Sequence, residues 1–181
     1  MKKIMFVLAL LAAVAVQAAS ITWGVSNNAF SLASGSSYSS KNNITVYLID
    51  AAYSESIVEA IGAGTFSTST AGVLDSATTS NTKGAVASHE VNSSALTAGQ
   101  AYDFAALIVD VIDGKPSYIM SAAQGLQAYT AGVDEAATAT FGSTAFASGT
   151  GWTEASGTPE PTSGLLLLLG GAMLALRRKQ K

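Results

Sequence analysis

Hydrophobic and polar positions favour β-strands in the long middle part of the chain. The segment from Ile44 to Ile49 is rich in β-branched and aromatic residues. A longer apolar run, Phe104 to Val109, lies within Ala101 to Asp113. Short apolar runs of these residue types are typical of strands in a protein core. The pattern therefore predicts two core strands.

A turn and a returning strand are predicted after the second run. Residues Asp113 to Pro116 combine an Asp that can bond the nearby backbone, a Gly that tolerates positive φ and a Pro that presets its own φ. Ser117 to Ser121 then leads away from this turn with strand-like composition. Together these segments predict a β-hairpin.

One short helix is predicted between the strands. Ser56 to Glu59 matches a capping box, in which the Ser and Glu side chains satisfy free backbone amides at a helix start. Gly62 or Gly64 is expected to end this helix. The segment Ala122 to Tyr129 stays open between helix and strand, because Gly125 disfavours both.

The segment Leu96 to Phe104 resembles the turn into a late strand of fibronectin-type sandwiches. In those domains a Tyr hydroxyl bonds to the backbone a few residues upstream and forms a tyrosine corner. Tyr102 would take this role here, and Leu96 would fill the core; the alternative is an ordinary loop followed by a strand. Both interpretations favour a mostly β domain in the middle of the chain, antiparallel and β-sandwich-like, with one or two short helices.

The first residues of the chain, 1–18, have the three zones of a secretory signal peptide. A basic start precedes an apolar run from Ile4 to Val16, and small residues follow. The sequence predicts passage through the Sec translocon and cleavage by signal peptidase between Ala18 and Ala19. The alternative is a buried N-terminal helix, which is disfavoured because core helices rarely lack polar residues on their outer face.

The last residues, 158–181, join four features in strict order. These are Pro159-Glu160-Pro161, a short polar step, the apolar stretch 164–176, and the basic residues Arg177, Arg178 and Lys179. As a helix the apolar stretch would span about 20 Å, which is short of a bilayer core of about 30 Å. We therefore expect a single, provisional membrane helix. The basic residues predict that the tail end stays in the cytoplasm while the passenger, 19–157, faces outward.

This tail resembles the PEP-CTERM sorting signal, whose proteins are substrates of membrane-embedded exosortases in Gram-negative bacteria. The resemblance covers 158–181, and Thr158 stands where members often carry Val. It implies cleavage at or near Pro159-Glu160-Pro161 and transfer of the passenger to the cell surface or an exopolysaccharide matrix. The implied partners are the exosortase, the inner membrane transiently, and exopolysaccharide. The alternative is a plain C-terminal membrane anchor.

Charge and cysteine content narrow the function classes further. The whole chain has a formal net charge of -3, but the passenger holds three basic and eleven acidic residues, a net charge of -8. Nucleic-acid binding depends on Lys and Arg neutralising phosphates, so this class is excluded. The chain has no Cys, which excludes a disulfide framework and a thiolate site.

Candidate catalytic chemistry in the passenger is sparse. His89 is the sole histidine, and Ser88 and Glu90 beside it would point to the opposite face of a strand. We expect a solvent-facing strand histidine, with a Ser-His-Asp arrangement as the alternative. No catalytic residue and no cofactor are predicted.

Three aspartates raise two further hypotheses. Asp110 and Asp113, with Gly114, faintly suggest a calcium loop, but the spacing of an EF-hand is missing and turn-forming aspartates are preferred. Asp103 and Asp110 are a conceivable carboxylate pair for glycoside hydrolysis. No metal site is predicted.

The two tryptophans, Trp23 and Trp152, are expected to pack at the ends of the domain, unless one stacks on a sugar ring. The sequence thus predicts a non-enzymatic exported protein whose passenger is a structural or interaction module. A surface carbohydrate-binding module or adhesin is the second hypothesis, and a secreted hydrolase is the third.

Overall fold

A computed structural model describes residues 19–131, 134 and 136–156. The predicted signal peptide and the predicted sorting tail lie outside the described residues. The strands are β1 (Ala19–Val25), β2 (Thr45–Asp50), β3 (Val73–Thr78), β4 (Val86–Ser93), β5 (Ala101–Ile112), β6 (Lys115–Met120), β7 (Gln124–Gln127), β8 (Thr138–Phe141) and β9 (Thr153–Glu154). The helices are a 3₁₀ turn (Ala51–Tyr53), α1 (Ser54–Gly62) and α2 (Ser143–Ala147). None of the helices in this part of the chain is long and apolar enough to cross a membrane.

The strands form two sheets. Sheet A has three strands in the order β4-β1-β8, and sheet B has six, in the order β3-β2-β5-β6-β9 with β7 beside the first part of β5. This confirms a mostly β, sandwich-like domain with antiparallel sheets and two short helices. One pair departs from the antiparallel pattern, because β8 runs parallel to β1. Parallel strands cannot be joined by a tight turn, and most of the domain separates these two along the chain.

Sheet B lies between two hydrophobic cores. One face packs on sheet A through residues such as Phe104, Ala106 and Ile108 of β5. The other face packs on α1, where Ala105 and Leu107 of the same strand are buried. Because successive strand residues point to opposite faces, a strand buried on both faces is apolar throughout. This explains the uninterrupted apolar run that predicts β5.

The predicted hairpin is confirmed as β5–β6, with a tighter turn than expected. Asp113 and Gly114 alone form the loop, with φ of +51° and +80°, and positive φ at both positions is what a type I′ hairpin turn requires. Lys115 and Pro116 already belong to β6 and pair with the end of β5.

The predicted helix is present, but its predicted start is wrong. Asp50, at the end of β2, caps the 3₁₀ turn by accepting a hydrogen bond from the Ala52 N–H at 3.0 Å. The helical chain has therefore already begun at Ser56, whose hydroxyl donates to the Tyr53 carbonyl instead of capping. The predicted end is confirmed, since α1 ends at Gly62.

A Schellman motif closes α1. Gly64 has a φ of +70°, its N–H donates to the Ile61 carbonyl, and the Thr65 N–H donates to the Ala60 carbonyl. These are the two hydrogen bonds of that motif. The ambiguous segment after β6 contains a strand, β7.

The predicted tyrosine corner is present at the start of β5. The Thr97 N–H donates to the Tyr102 hydroxyl at 2.9 Å, and Leu96 is buried in the core between the sheets. The bond satisfies a backbone donor and fixes the loop that leads into the longest strand of the domain.

Candidate functional site

Most residues predicted for sorting lie outside the described residues. They are Ala18, Pro159, Glu160, Pro161, Arg177, Arg178 and Lys179. Ala19, the other side of the predicted signal cleavage site, is the first residue of β1 and pairs with Ser93 of β4. The candidate sites within the described residues lie around His89, around Asp110 and around Trp152.

A cluster of Trp23, Asp75 and His89 bridges the two sheets at one side of the sandwich. Trp23 and His89 are direct neighbours on β1 and β4 of sheet A, with ring centroids 5.2 Å apart. Asp75 comes from β3, the edge strand of sheet B. Its Oδ2 accepts a hydrogen bond from Trp23 Nε1 at 2.8 Å and lies 2.8 Å from His89 Nε2. One carboxylate oxygen therefore holds residues of the opposite sheet.

The expectation of a solvent-facing histidine therefore holds only in part. The His89 side chain is 38% exposed and turns toward sheet B, next to the fully buried Trp23. Ser88 and Glu90 are exposed on the other face, as the alternation of β4 predicts. The sequence holds no local signal for the pairing, because Asp75 belongs to a different strand of a different sheet.

Both ring nitrogens of His89 face oxygen acceptors. Nδ1 lies 3.0 Å from the Ala87 carbonyl, and Nε2 faces Asp75. A neutral imidazole has only one N–H, whereas the protonated ring donates from both nitrogens. Burial acts to lower the pKa of His89, but the Ala87 carbonyl and the Asp75 carboxylate outweigh it and raise the pKa above its ordinary value.

This geometry does not assemble a hydrolytic triad around His89. A general base needs a nitrogen free to take the proton of a nucleophile, and in this arrangement both nitrogens are engaged. Ser88, the adjacent hydroxyl, is on the opposite face of the strand. The cluster therefore holds the sheets together and offers no support to the hydrolase hypothesis.

Asp110 anchors a loop and does not form a turn, which corrects the expectation for this residue. It is buried, and its two carboxylate oxygens accept hydrogen bonds from the hydroxyls of Ser36 and Ser37. The Val111 N–H adds a third bond at 2.7 Å. Asp113 does lie in the hairpin turn, as expected.

Asp103 and Asp110 are not placed to act as a catalytic pair in glycoside hydrolysis. Asp103 and Asp110 point to opposite faces of β5 and are separated by about 23 Å along the strand. This distance is much longer than the spacing of about 5–10 Å that glycosidases use. Among the described residues, no group of three or more His, Cys, Asp or Glu side chains is placed to hold a metal ion.

A cleft of about 400 Å³ lies beside Trp152, where the end of the β5–β6 hairpin meets β9. Its walls include Asp113, Lys115 and Glu154. The Trp152 indole N–H donates to the Ser31 carbonyl at 2.6 Å, which fixes the plane of the half-buried ring. Lys115 Nζ and Glu154 Oε2 are 2.7 Å apart. The cleft thus presents a fixed aromatic ring beside charged groups of both signs.

The two tryptophans have different environments. Trp23 is fully buried, and Trp152 is partly buried against the same core while it also lines the cleft, so the packing expectation is confirmed for Trp23 and in part for Trp152. Comparison of the chain with protein-family models, with curated proteins and with solved structures gave no match.

Proposed function

We propose that this chain is an exported protein of the bacterial cell surface or exopolysaccharide matrix, sorted and C-terminally processed by an exosortase. The described β-domain is its structural or interaction module. The observation that carries the proposal is the strict order of tripeptide, apolar stretch and basic residues in 158–181, opposite a signal-peptide pattern in 1–18. An exosortase supplies the chemistry of processing, so this role requires no catalytic residue in the chain.

The described β-domain is compatible with this proposal. Its strands and helices, from β1 (Ala19–Val25) to β9 (Thr153–Glu154), all lie between the two predicted terminal segments. Removal of both terminal segments therefore leaves every described strand and helix intact.

The sorting proposal predicts a protein that is shortened at both ends. Intact-mass analysis of the protein from its native envelope is expected to give a species that starts at Ala19 and ends near Pro159-Glu160-Pro161. Replacing all three tripeptide residues by Ala is expected to leave the tail attached. As a matched control, Thr158→Val introduces the residue that PEP-CTERM sorting signals often carry at this position. This variant is expected to be processed like the wild type. A mature protein that retains Lys181 would contradict the proposal.

Carbohydrate binding at the Trp152 cleft is the second candidate function. Binding sites for small molecules combine apolar or aromatic walls with a few placed polar groups, and the cleft has both. The observation that favours it is the fixed, half-buried ring of Trp152 beside Asp113, Lys115 and Glu154. Such a module would suit a protein of an exopolysaccharide matrix.

The carbohydrate candidate predicts a graded response at position 152. On a glycan array followed by titration, Trp152→Ala is expected to weaken binding about tenfold or more, which corresponds to about 1.4 kcal/mol. Trp152→Phe keeps an aromatic face but removes the bond to Ser31, so it is expected to retain most of the affinity. The exposed Tyr53, which is not part of the cleft, supplies a control in Tyr53→Ala. Equal losses in both Trp152 variants would show that the ring is structural.

A further inference from the structure

Residues 150–155, which we call the C-terminal strap, run along the free edge of β6. At one end the Thr150 N–H donates to the Met120 carbonyl, and the Met120 N–H donates to the Thr150 hydroxyl. Thr153 and Glu154 form β9, which pairs with Tyr118 and Ser117. At the other end the Ala155 N–H donates to the Pro116 carbonyl at 2.9 Å. The strap is therefore paired with β6 at residue 150 and at residues 153–155.

Side chains also anchor the strap. Trp152 Nε1 donates to the Ser31 carbonyl at 2.6 Å, and this bond joins the strap to a loop that is distant in sequence. Ala155 is 5% exposed and belongs to the core under α1. The Lys115–Glu154 pair is exposed, and exposed ion pairs contribute little to stability. The Trp152 bond and the burial of Ala155 are the main side-chain anchors.

Backbone that is hydrogen-bonded to a neighbouring strand resists proteases. Proteolysis concentrates where the backbone is exposed and free of hydrogen bonds, since extended peptides are bound through their own main-chain groups. Cleavage within the strap would first require it to separate from β6. The fold thus protects the chain up to Ala155.

The distance from the strap to the sorting motif is short. The chain from Ala155 to Pro159 spans at most about 14 Å, and from Ala155 to Gly164, where the apolar stretch begins, at most about 32 Å. We infer, on the basis of the proposed function, that the paired strap prevents cleavage upstream of residue 156. It thereby confines C-terminal processing to residues 156–163.

The first test maps the C-terminus of the full-length protein in its native envelope by intact mass. The wild type is expected to end within residues 156–163. Ala155→Asp places a charge in the core under α1 and is expected to add products that end upstream of residue 155. Ser156→Asp introduces the same charge one residue later, at an exposed position, and is expected to keep the wild-type ends. Identical ends in all three proteins, with faster amide hydrogen exchange in the strap of Ala155→Asp, would overturn the inference.

A second test does not depend on the exosortase. The purified full-length protein in detergent is digested with a protease of broad specificity, and the new C-termini are followed by mass over time. We expect trimming of the wild type to stop at residue 156 or beyond, and trimming into 150–155 to be about tenfold faster or more in Ala155→Asp, because cleavage tracks the population of the open strap. Trp152→Phe provides a milder second variant. Rapid trimming of the wild-type strap would refute the inference that the strap prevents cleavage. A strap that resists the protease, in a protein that is not cleaved in its native envelope, would refute only the sorting proposal.

Discussion

Trp23→Ala is expected to lower the free energy of unfolding of the domain by about 3–5 kcal/mol, the usual cost of removing a large aromatic side chain from a core. Trp23 is fully buried between the sheets. Its indole N–H donates to Asp75, and its ring lies against His89. The substitution therefore leaves a cavity and also releases the carboxylate that joins the two sheets. Urea denaturation followed by circular dichroism measures the loss.

Two control variants separate the contributions at this position. Trp23→Phe keeps most of the apolar volume but removes the bond to Asp75, so a smaller loss of about 1–2 kcal/mol is expected. Trp152→Ala removes the other tryptophan, which is only half-buried, and is also expected to cost less than Trp23→Ala. Equal losses of unfolding free energy in Trp23→Ala and Trp152→Ala would contradict the stabilising role that we assign to the cluster of Trp23, Asp75 and His89.

Gly149→Ala is expected to destabilise the domain by about 3 kcal/mol, at the upper end of the usual cost of overpacking. A Cβ atom at this position would overlap the Met120 carbonyl oxygen and would lie 2.9 Å from the Ser121 Cα. Both are backbone atoms at the end of β6, so no side-chain rotation relieves the contact. The chain after α2 has to move away from β6, and the hydrogen bonds between Thr150 and Met120 are lost with it.

The matched control is the glycine on the other side of α2. A Cβ at Gly142 would have Ser26 Oγ as its nearest neighbour, at 3.9 Å, and its φ of -99° suits any residue. Gly142→Ala is therefore expected to cost under about 1 kcal/mol, the effect of changing a helix N-cap. Thermal and urea unfolding of both variants measure the difference. A Gly149→Ala protein as stable as Gly142→Ala would show that the backbone there adapts without cost.

Some elements escaped prediction because their sequences resemble loops. β4 is an edge strand, and its exposed residues include Ser88, Glu90 and Asn92. Strands that face solvent carry polar residues on that face, so their composition is close to that of a turn region. β8 has only four residues and pairs parallel with β1, a partner that no nearby pattern indicates.

The helix start was misplaced by a related effect. Ser56 to Glu59 satisfies the local capping pattern, yet Asp50 at the end of β2 had already started the helical chain. The chain can use only one helix start, and the position of β2 in sheet B decides which residue supplies it. The local capping pattern at Ser56 cannot show that the residue at the end of β2 already caps the start of the helical segment.

The sequence by itself determined features whose partners lie within a few residues. The Asp113-Gly114 turn depends on positive φ, the end of α1 on Gly64, and the tyrosine corner on the spacing between Leu96 and Tyr102. Backbone preferences and short-range hydrogen bonds suffice for each of these. The same is true of the apolar runs that predict β2 and β5.

Only the tertiary structure decided which distant residues meet. Asp75 is hydrogen-bonded to Trp23 and His89 because β3 of one sheet lies beside β4 of the other. Asp110 accepts hydrogen bonds from the hydroxyls of a loop that is far from it in sequence. The strap lies on β6 because that edge of sheet B is open and the core under α1 has room for Ala155. These contacts follow from the packing of whole sheets, which depends on the burial of apolar surface throughout the chain and not on any short segment of it.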